Sequence, residues 1–389
     1  MNRYAPFLAL ATTALCTACG RDPQPGHRRT SPSVAPPAAS SASRPTAFTG
    51  RPEPHQDPID SLKARTYAVA PHADLVHAGT TAGVVSWSFT DRAHPRELAT
   101  LVLPGSVSGL ALLGPSQSIL AVSTGPSGLV LVDASNASRG RLDRLSDAPW
   151  KPDARGGCHS VWNARPVNDK LGFLACGTGG VAEVDLSDRA RPKVTRSLEL
   201  DGYVRDVAVL DTAAGIPKDK ASPQRIAVAA GNAGLVIVDF PAAGAAKLVA
   251  SLPTPGEARA LEVHEGLAYI ADGAAGLRIV DVRDPARPFE LGRFDPRTVD
   301  LARAVTVQGR TAFLCLGDSG LMSVDATDPK APRKLAAVDP PRALNRATAA
   351  GALLFAANDA GGILLFDVTR PDALVQLFPQ PQHADAGAQ

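Results

Sequence analysis

Gly276-LRIVD, ending at Asp281, is one of seven copies of a single phrase: a glycine, then an apolar run, closed in six copies by Asp. The other copies are Gly83-VVSWS, Gly128-LVLVD, Gly180-VAEVD, Gly234-LVIVD, Gly320-LMSVD and Gly362-ILLFD. Successive glycines are 45, 52, 54, 42, 44 and 42 residues apart. A near-constant period of this length marks a repeat architecture. The repeats occupy Tyr67 to Phe378, so the 389 residues do not divide into the two domains that length alone would suggest.

The unit around Gly276 reads as four short strands. Arg259 to His264 alternates apolar and polar residues, and Glu265-Gly266 turns the chain. Leu267 to Ala271 is a second strand, and Asp272-Gly-Ala-Ala-Gly276 is a tight turn whose glycines accept positive φ. Leu277 to Val282 is a third strand, apolar almost throughout. After the turn at Arg283-Asp284-Pro285, Pro288 to Arg293 is a fourth, with its proline where an outer edge tolerates a missing N–H. A four-stranded antiparallel unit cannot cover both its faces alone. Set radially, each is covered by its neighbours, which explains a third strand that is apolar on both sides. The expected fold is all-β: a seven-bladed β-propeller over residues 59–378, each blade owning its four strands and blade 7 meeting blade 1 without an exchanged strand.

The phrase Gly-Leu-Val-Ile-Val-Asp239, with Val204-Arg-Asp-Val-Ala-Val209 and Ala271-Asp-Gly-Ala-Ala-Gly-Leu277, resembles the LVIVD-repeat family. These are propeller-like proteins of bacterial and archaeal surface and exported proteins. The resemblance spans residues 66–378 and is closest in units 3 to 7. It implies the fold; the family carries no shared catalytic residue, so it implies no chemistry.

Composition is globular, 44% hydrophobic and 20% charged, with aromatics at 5%, so small and branched aliphatics are expected to fill the core. A net charge of +2 without a basic stripe argues against nucleic-acid binding. No run of 18 apolar residues suggests a transmembrane helix. The N-terminus reads as a targeting segment: Arg3, a short apolar run from Pro6 to Ala14, then Leu15-Cys-Thr-Ala-Cys19-Gly20. Small residues before Cys19 resemble a lipobox, which makes residues 1–18 a lipoprotein signal peptide and Cys19 the lipidated residue. Residues 19–58, rich in Pro, Ser and Ala, are read as a disordered tether, and 379–389 as a disordered tail. The expected location is the bacterial cell envelope, held by the lipid anchor alone.

Several motifs invite a chemical reading. Gly317-Asp-Ser-Gly320 copies a protease nucleophile signature but occupies the same turn as Gly273-Ala-Ala-Gly276, so it is read as a turn. Asp133, Asp185, Asp239, Asp281, Asp325 and Asp367 close their third strands and are expected to accept turn N–H groups rather than bind metal, since no calcium-loop pattern follows them. Arg205, Arg259, Arg303 and Arg346 open the first strands of successive blades, with His159 assigned the matching place in blade 3. Together they would ring one mouth of the central channel, either to hold an anion or acidic peptide, or paired to Asp272, Asp318 and Asp359 to close it. Two insertions break the repeat: Ser146 to Gly157, whose Trp150 is either a binding spot or folded on the blade edge, and Leu210 to Gln224. Cys158 and Cys176 flank a hairpin in a way that allows a disulfide, and Cys315 reads as a buried thiol.

The function expected from these features is non-catalytic: a monomeric, lipid-anchored binding or scaffold module for an envelope protein or surface glycan, with no cofactor. The competing reading is an enzyme, a lyase or hydrolase, using Arg and His at the mouth. It would require a deep pocket there holding His159 and a carboxylate without a partner.

Overall fold

The glycine of the repeated phrase is imposed by the backbone. All seven copies have positive φ, from 74° at Gly180 to 142° at Gly83, a region that side chains with a Cβ avoid. At Gly83, Gly180, Gly234, Gly276 and Gly320 space forbids a side chain as well, whereas Gly362 is open. A Cβ at Gly276 would lie 2.4 Å from the carbonyl oxygen of Phe294, and one at Gly320 would lie 2.2 Å from that of Val338, because the fourth strand crosses directly over the turn.

The structure is a computed structural model describing residues 64–114, 116–146, 157–210, 224–340 and 342–379. The signal segment, Cys19, the tether, Trp150, most of both insertions and the last ten residues lie outside them. The described residues form seven four-stranded antiparallel sheets, each built from strands consecutive in the chain. The blades span Thr66–Val102, Gly109–Arg144, Asn163–Leu198, Asp206–Leu252, Ala260–Phe294, Ala304–Val338 and Arg346–Phe378. One 3-10 turn, Ala137–Arg139, is the sole helical element among the described residues, and none is long and apolar enough to cross a membrane. This is the expected seven-bladed β-propeller.

Each blade is joined to the next at its inner corner, blade 1 to blade 2 by the Val107 N–H on Thr80 O at 2.9 Å and the others by a short bridge. The first glycine of one turn pairs with the residue just before the next blade's first strand: Gly125 with Val161, Gly177 with Val204, Gly231 with Ala258, Gly273 with Ala302 and Gly317 with Leu344. Blade 7 closes on blade 1 in the same way, Asp359 pairing with Thr66. No strand is exchanged. The seam is sealed by a mixed core in which Phe89 packs edge-on against Phe355, ring centroids 5.3 Å apart. The core is mostly Val, Leu, Ile and Ala, as expected. Even so, five phenylalanines, Phe173, Phe240, Phe313, Phe355 and Phe366, are among the largest fully buried side chains.

The repeated aspartates act as turn acceptors. Asp133, Asp185, Asp281, Asp325 and Asp367 each accept the N–H two residues ahead, at 2.8–3.0 Å. Asp239 is the exception: the residue two ahead is Pro241, which has no N–H, and the carboxylate faces Arg225 at 3.8 Å instead. In blade 1, Ser88 takes the place, accepting from Thr90 at 3.4 Å. Gly317-Asp-Ser-Gly320 is the same turn as its counterparts, closed by Gly320 N–H to Gly317 O at 3.2 Å.

One buried polar pair makes stability depend on pH. His77 and Ser86 face each other across the second and third strands of blade 1, Nδ1 to Oγ 2.8 Å, and His77 is 1% exposed. Burial, aided by the charge of His72, lowers the His77 pKa to about 4. The unfolded chain, with imidazole near its ordinary value of about 6.5, binds the proton first. Stability is therefore full above about pH 6.5 and is lost as pH falls toward 4. Melting temperatures measured over that window should show the slope, and His77→Leu should flatten it; an unchanged slope would refute the assignment. Asp281, Asp325 and Asp367, held below the usual carboxylate range chiefly by hydrogen bonds from Arg283, Thr327 and Thr369, add their own loss at lower pH.

Candidate functional site at the channel mouth

The inner-corner pairing defines which residues ring the mouth. Immediately after the stitching residue come Ser108, Trp162, Arg205, Arg259, Arg303 and Asn345. Their N–H groups donate to Ser123, Ala175, Ala229, Ala271, Cys315 and Ala357 in turn, at 2.8–3.0 Å. Tyr67 follows Thr66 at the seam and sits in a local irregularity of the ladder. Three of the four expected arginines thus share one register, and two assignments need correction. In blade 3 the ring residue is Trp162, whereas His159 lies three residues earlier, exposed and outside the mouth pocket. In blade 7 it is Asn345; Arg346 is one residue further along, and a one-residue step along a strand turns the side chain to the other face.

That step places Arg346 in a second, deeper layer. Its guanidinium reaches across the channel to Asp206 Oδ2 at 3.3 Å. Asp206, 1% exposed, also accepts the Asn163 side-chain amide and the N–H of Val207 at 2.9 Å. This layer divides the channel, and Arg346 lines the space on both sides. Above it is a mouth pocket of about 700 Å³, below it a channel cavity of about 320 Å³. In the lower cavity Glu262 is pushed upward by burial, against the pull of Arg165.

The carboxylate partners of the arginines also differ from expectation. Glu257 binds both Arg205, at 2.6 and 3.0 Å, and Arg259, at 2.6 Å. Burial pushes Glu257 upward, but the two arginines outweigh it and hold its carboxyl below the usual range. Asp272 is fully buried elsewhere, bonded to Thr254 and Gly256, and Asp359 lies near Arg65. Arg303 has no carboxylate partner among the described residues; its guanidinium donates to Asn345 Oδ1 at 2.9 Å. Four arginines set against Glu257 and Asp206 leave the mouth with a positive excess.

The floor of the ring is glycine. A Cβ at Gly317 would lie 2.9 Å from Arg303 Nε, and one at Gly177 would lie 2.9 Å from Trp162 Nε1, so both planar side chains lie flat on a bare backbone turn. Trp162 is fixed further by its N–H to Ser160 Oγ at 3.1 Å and by Tyr203, centroids 5.7 Å apart. Cys158 and Cys176 form a disulfide beside it, Cα atoms 5.1 Å apart. Cys315, on the second strand of blade 6, is buried, and burial pushes its thiol up to about 12. Among the described residues no cluster of His, Cys, Asp and Glu is arranged to hold a metal ion.

Residues 255–296 match the LVIVD repeat. This LVIVD segment covers blade 5 from Pro255 through Pro296, including Glu257, Arg259 and the Asp272 turn. A search of curated proteins returned no match. Among solved structures, similarity extends to Sqt1 of Saccharomyces cerevisiae, at 10% identity and TM-score 0.58, covering 80% of this chain and 85% of that one. The Cps50 (Swd1) β-propeller domain of Myceliophteria thermophila matches at 16% identity and TM-score 0.57, covering 78% and 98%. The computationally designed Ika8 protein matches at 12% and 0.53, covering 78% and 96%. At such identities the likeness speaks for the propeller fold alone.

Proposed function

We propose that the protein is a non-catalytic, lipid-anchored binding module of the bacterial cell envelope. Cys19 carries the lipid, residues 19–58 act as tether, and the mouth of the propeller captures an envelope protein or surface glycan. The observation that carries this reading is the mouth pocket itself: about 700 Å³, within the range of ligand sites of about 300–1,000 Å³, set on the rigid ends of inner strands. Acid–base catalysis finds less support there. The two carboxylates that hold the mouth arginines are already engaged, and His159 stands outside the pocket.

Two measurements test the proposal. Radiolabelled palmitate fed to cells should enter the wild-type protein and be absent from Cys19→Ala; label surviving that change would remove the anchor at Cys19. In pull-downs from membranes, Arg303→Glu should lose bound material, most clearly at low salt where charge is least screened. Identical capture by both proteins would exclude the mouth as the binding surface.

A further inference from the structure

The chemistry of the mouth pocket points to one ligand class, an inference that rests on its being the binding site. One side, from blades 1 to 3, presents hydroxyls and rings. Ser106 is exposed and Ser127 partly so, and neither hydroxyl is hydrogen-bonded among the described residues. Tyr67 and Trp162 contribute aromatic surface on the same side. Opposite, from blades 5 to 7, Arg259, Arg303 and Arg346 present guanidinium groups.

Three demands follow for an occupant. It must offer groups that donate to and accept from serine hydroxyls. It must offer a ring with an apolar face to lie on Trp162 or Tyr67; the Trp162 side chain is already held by Ser160, Tyr203 and the Gly177 turn and loses little freedom on contact. It must also carry an anion for Arg303, the mouth arginine with no carboxylate partner among the described residues; a planar carboxylate matches a guanidinium fork best. A neutral sugar meets the first two demands but leaves Arg303 without an anion. An acidic peptide meets the third but supplies few hydroxyl partners. A sugar bearing a carboxylate on its ring meets all three. We propose that the mouth binds an acidic glycan of the uronic-acid type, its carboxylate on Arg303, its ring on the Trp162–Tyr67 side and its hydroxyls on Ser106 and Ser127.

The test is calorimetric titration of the full chain, purified in detergent, with three probes at equal concentration: an oligogalacturonate, a neutral malto-oligosaccharide and a poly-glutamate peptide. The oligogalacturonate should bind at least ten-fold more tightly than either of the others. Arg303→Gln should weaken it ten-fold or more, and Arg303→Lys should recover part of the loss. Ser106→Trp, an exposed position on the hydroxyl side, should block the pocket and abolish binding while leaving the melting temperature unchanged. This second variant keeps the test valid if Arg303→Gln perturbs the ring. Equal binding of uronide and neutral sugar, or binding indifferent to both variants, would overturn the proposal. Preference for poly-glutamate, lost in Arg303→Gln, would overturn the glycan while leaving the mouth a binding site. Failure of all three probes, together with membrane capture unaffected by Arg303→Glu, would remove both.

Discussion

Asp206→Ala should lower the free energy of unfolding by about 4 kcal/mol, the range found when one partner of a buried charge pair is removed. The carboxylate is the hub of the layer that divides the channel. It accepts from Asn163, from Val207 N–H at 2.9 Å and, more weakly, from Leu261 N–H at 3.4 Å, and it pairs with Arg346 at 3.3 Å. Deletion leaves the Asn163 amide, 6% exposed, and the Arg346 guanidinium without their acceptor. The buried Asn163 amide then costs its desolvation in full, while the Arg346 guanidinium, 28% exposed, is left in part to solvent. Urea titration of the two single variants, Asp206→Ala and Arg346→Leu, and of the double variant separates the pair from its surroundings. The double variant should recover part of the loss, because no charge is then left alone. A loss below about 1 kcal/mol in Asp206→Ala would show that water replaces the carboxylate without difficulty and that the layer is not a structural plug.

The fold was legible because a propeller repeats its backbone demands. The glycine that must bend under the fourth strand, and the acceptor that must take the turn N–H, recur wherever a blade recurs. Asp239 shows that physics rather than resemblance sets the pattern: with Pro241 two residues on, the same aspartate has no N–H to accept and faces Arg225 instead. The mouth was half legible. Arg259, Arg303 and Asn345 each lie 17 residues before their blade's glycine, so the spacing itself places Asn345, and not Arg346, in the ring. Following the residue type instead of the spacing moved Arg346 into the wrong layer. In blade 3 the turn between the first two strands is one residue longer, so Trp162 lies 18 residues before Gly180 and His159 lies 21; the count already favours Trp162, and the Gly125–Val161 pairing fixes it. Glu257 carried no signal of its role: it precedes the strand in an irregular link, and its two arginine partners come from different blades.

Removing the Cys158–Cys176 disulfide, as the double serine variant, should lower stability by about 3 kcal/mol, from the loop-closure entropy of residues 18 apart in sequence. The effect on the mouth should be more telling than the effect on the fold. Between Cys158 and the blade lie Ser160, which accepts the Trp162 indole N–H at 3.1 Å, and Trp162 itself, whose backbone N–H donates to Ala175 at 2.9 Å. On the other side of the bridge, Cys176 leads directly into Gly177, the bare turn on which the indole lies. The bridge therefore holds together the support of the ring residue and its floor. Peptide mapping without reductant should recover Cys158 and Cys176 joined; two free thiols in exported protein would refute the bond. In the double serine variant, indole emission should shift to the red as Trp162 gains exposure, and the oligogalacturonate should bind several-fold more weakly, with the neutral sugar, whose ring uses the same side, weakened in parallel. Arg303 is positioned from Gly317 and Asn345, on elements the disulfide does not touch. Weakening after loss of the bridge would thus come through the aromatic side of the pocket, and a variant that keeps its full affinity would place the ring of the ligand elsewhere.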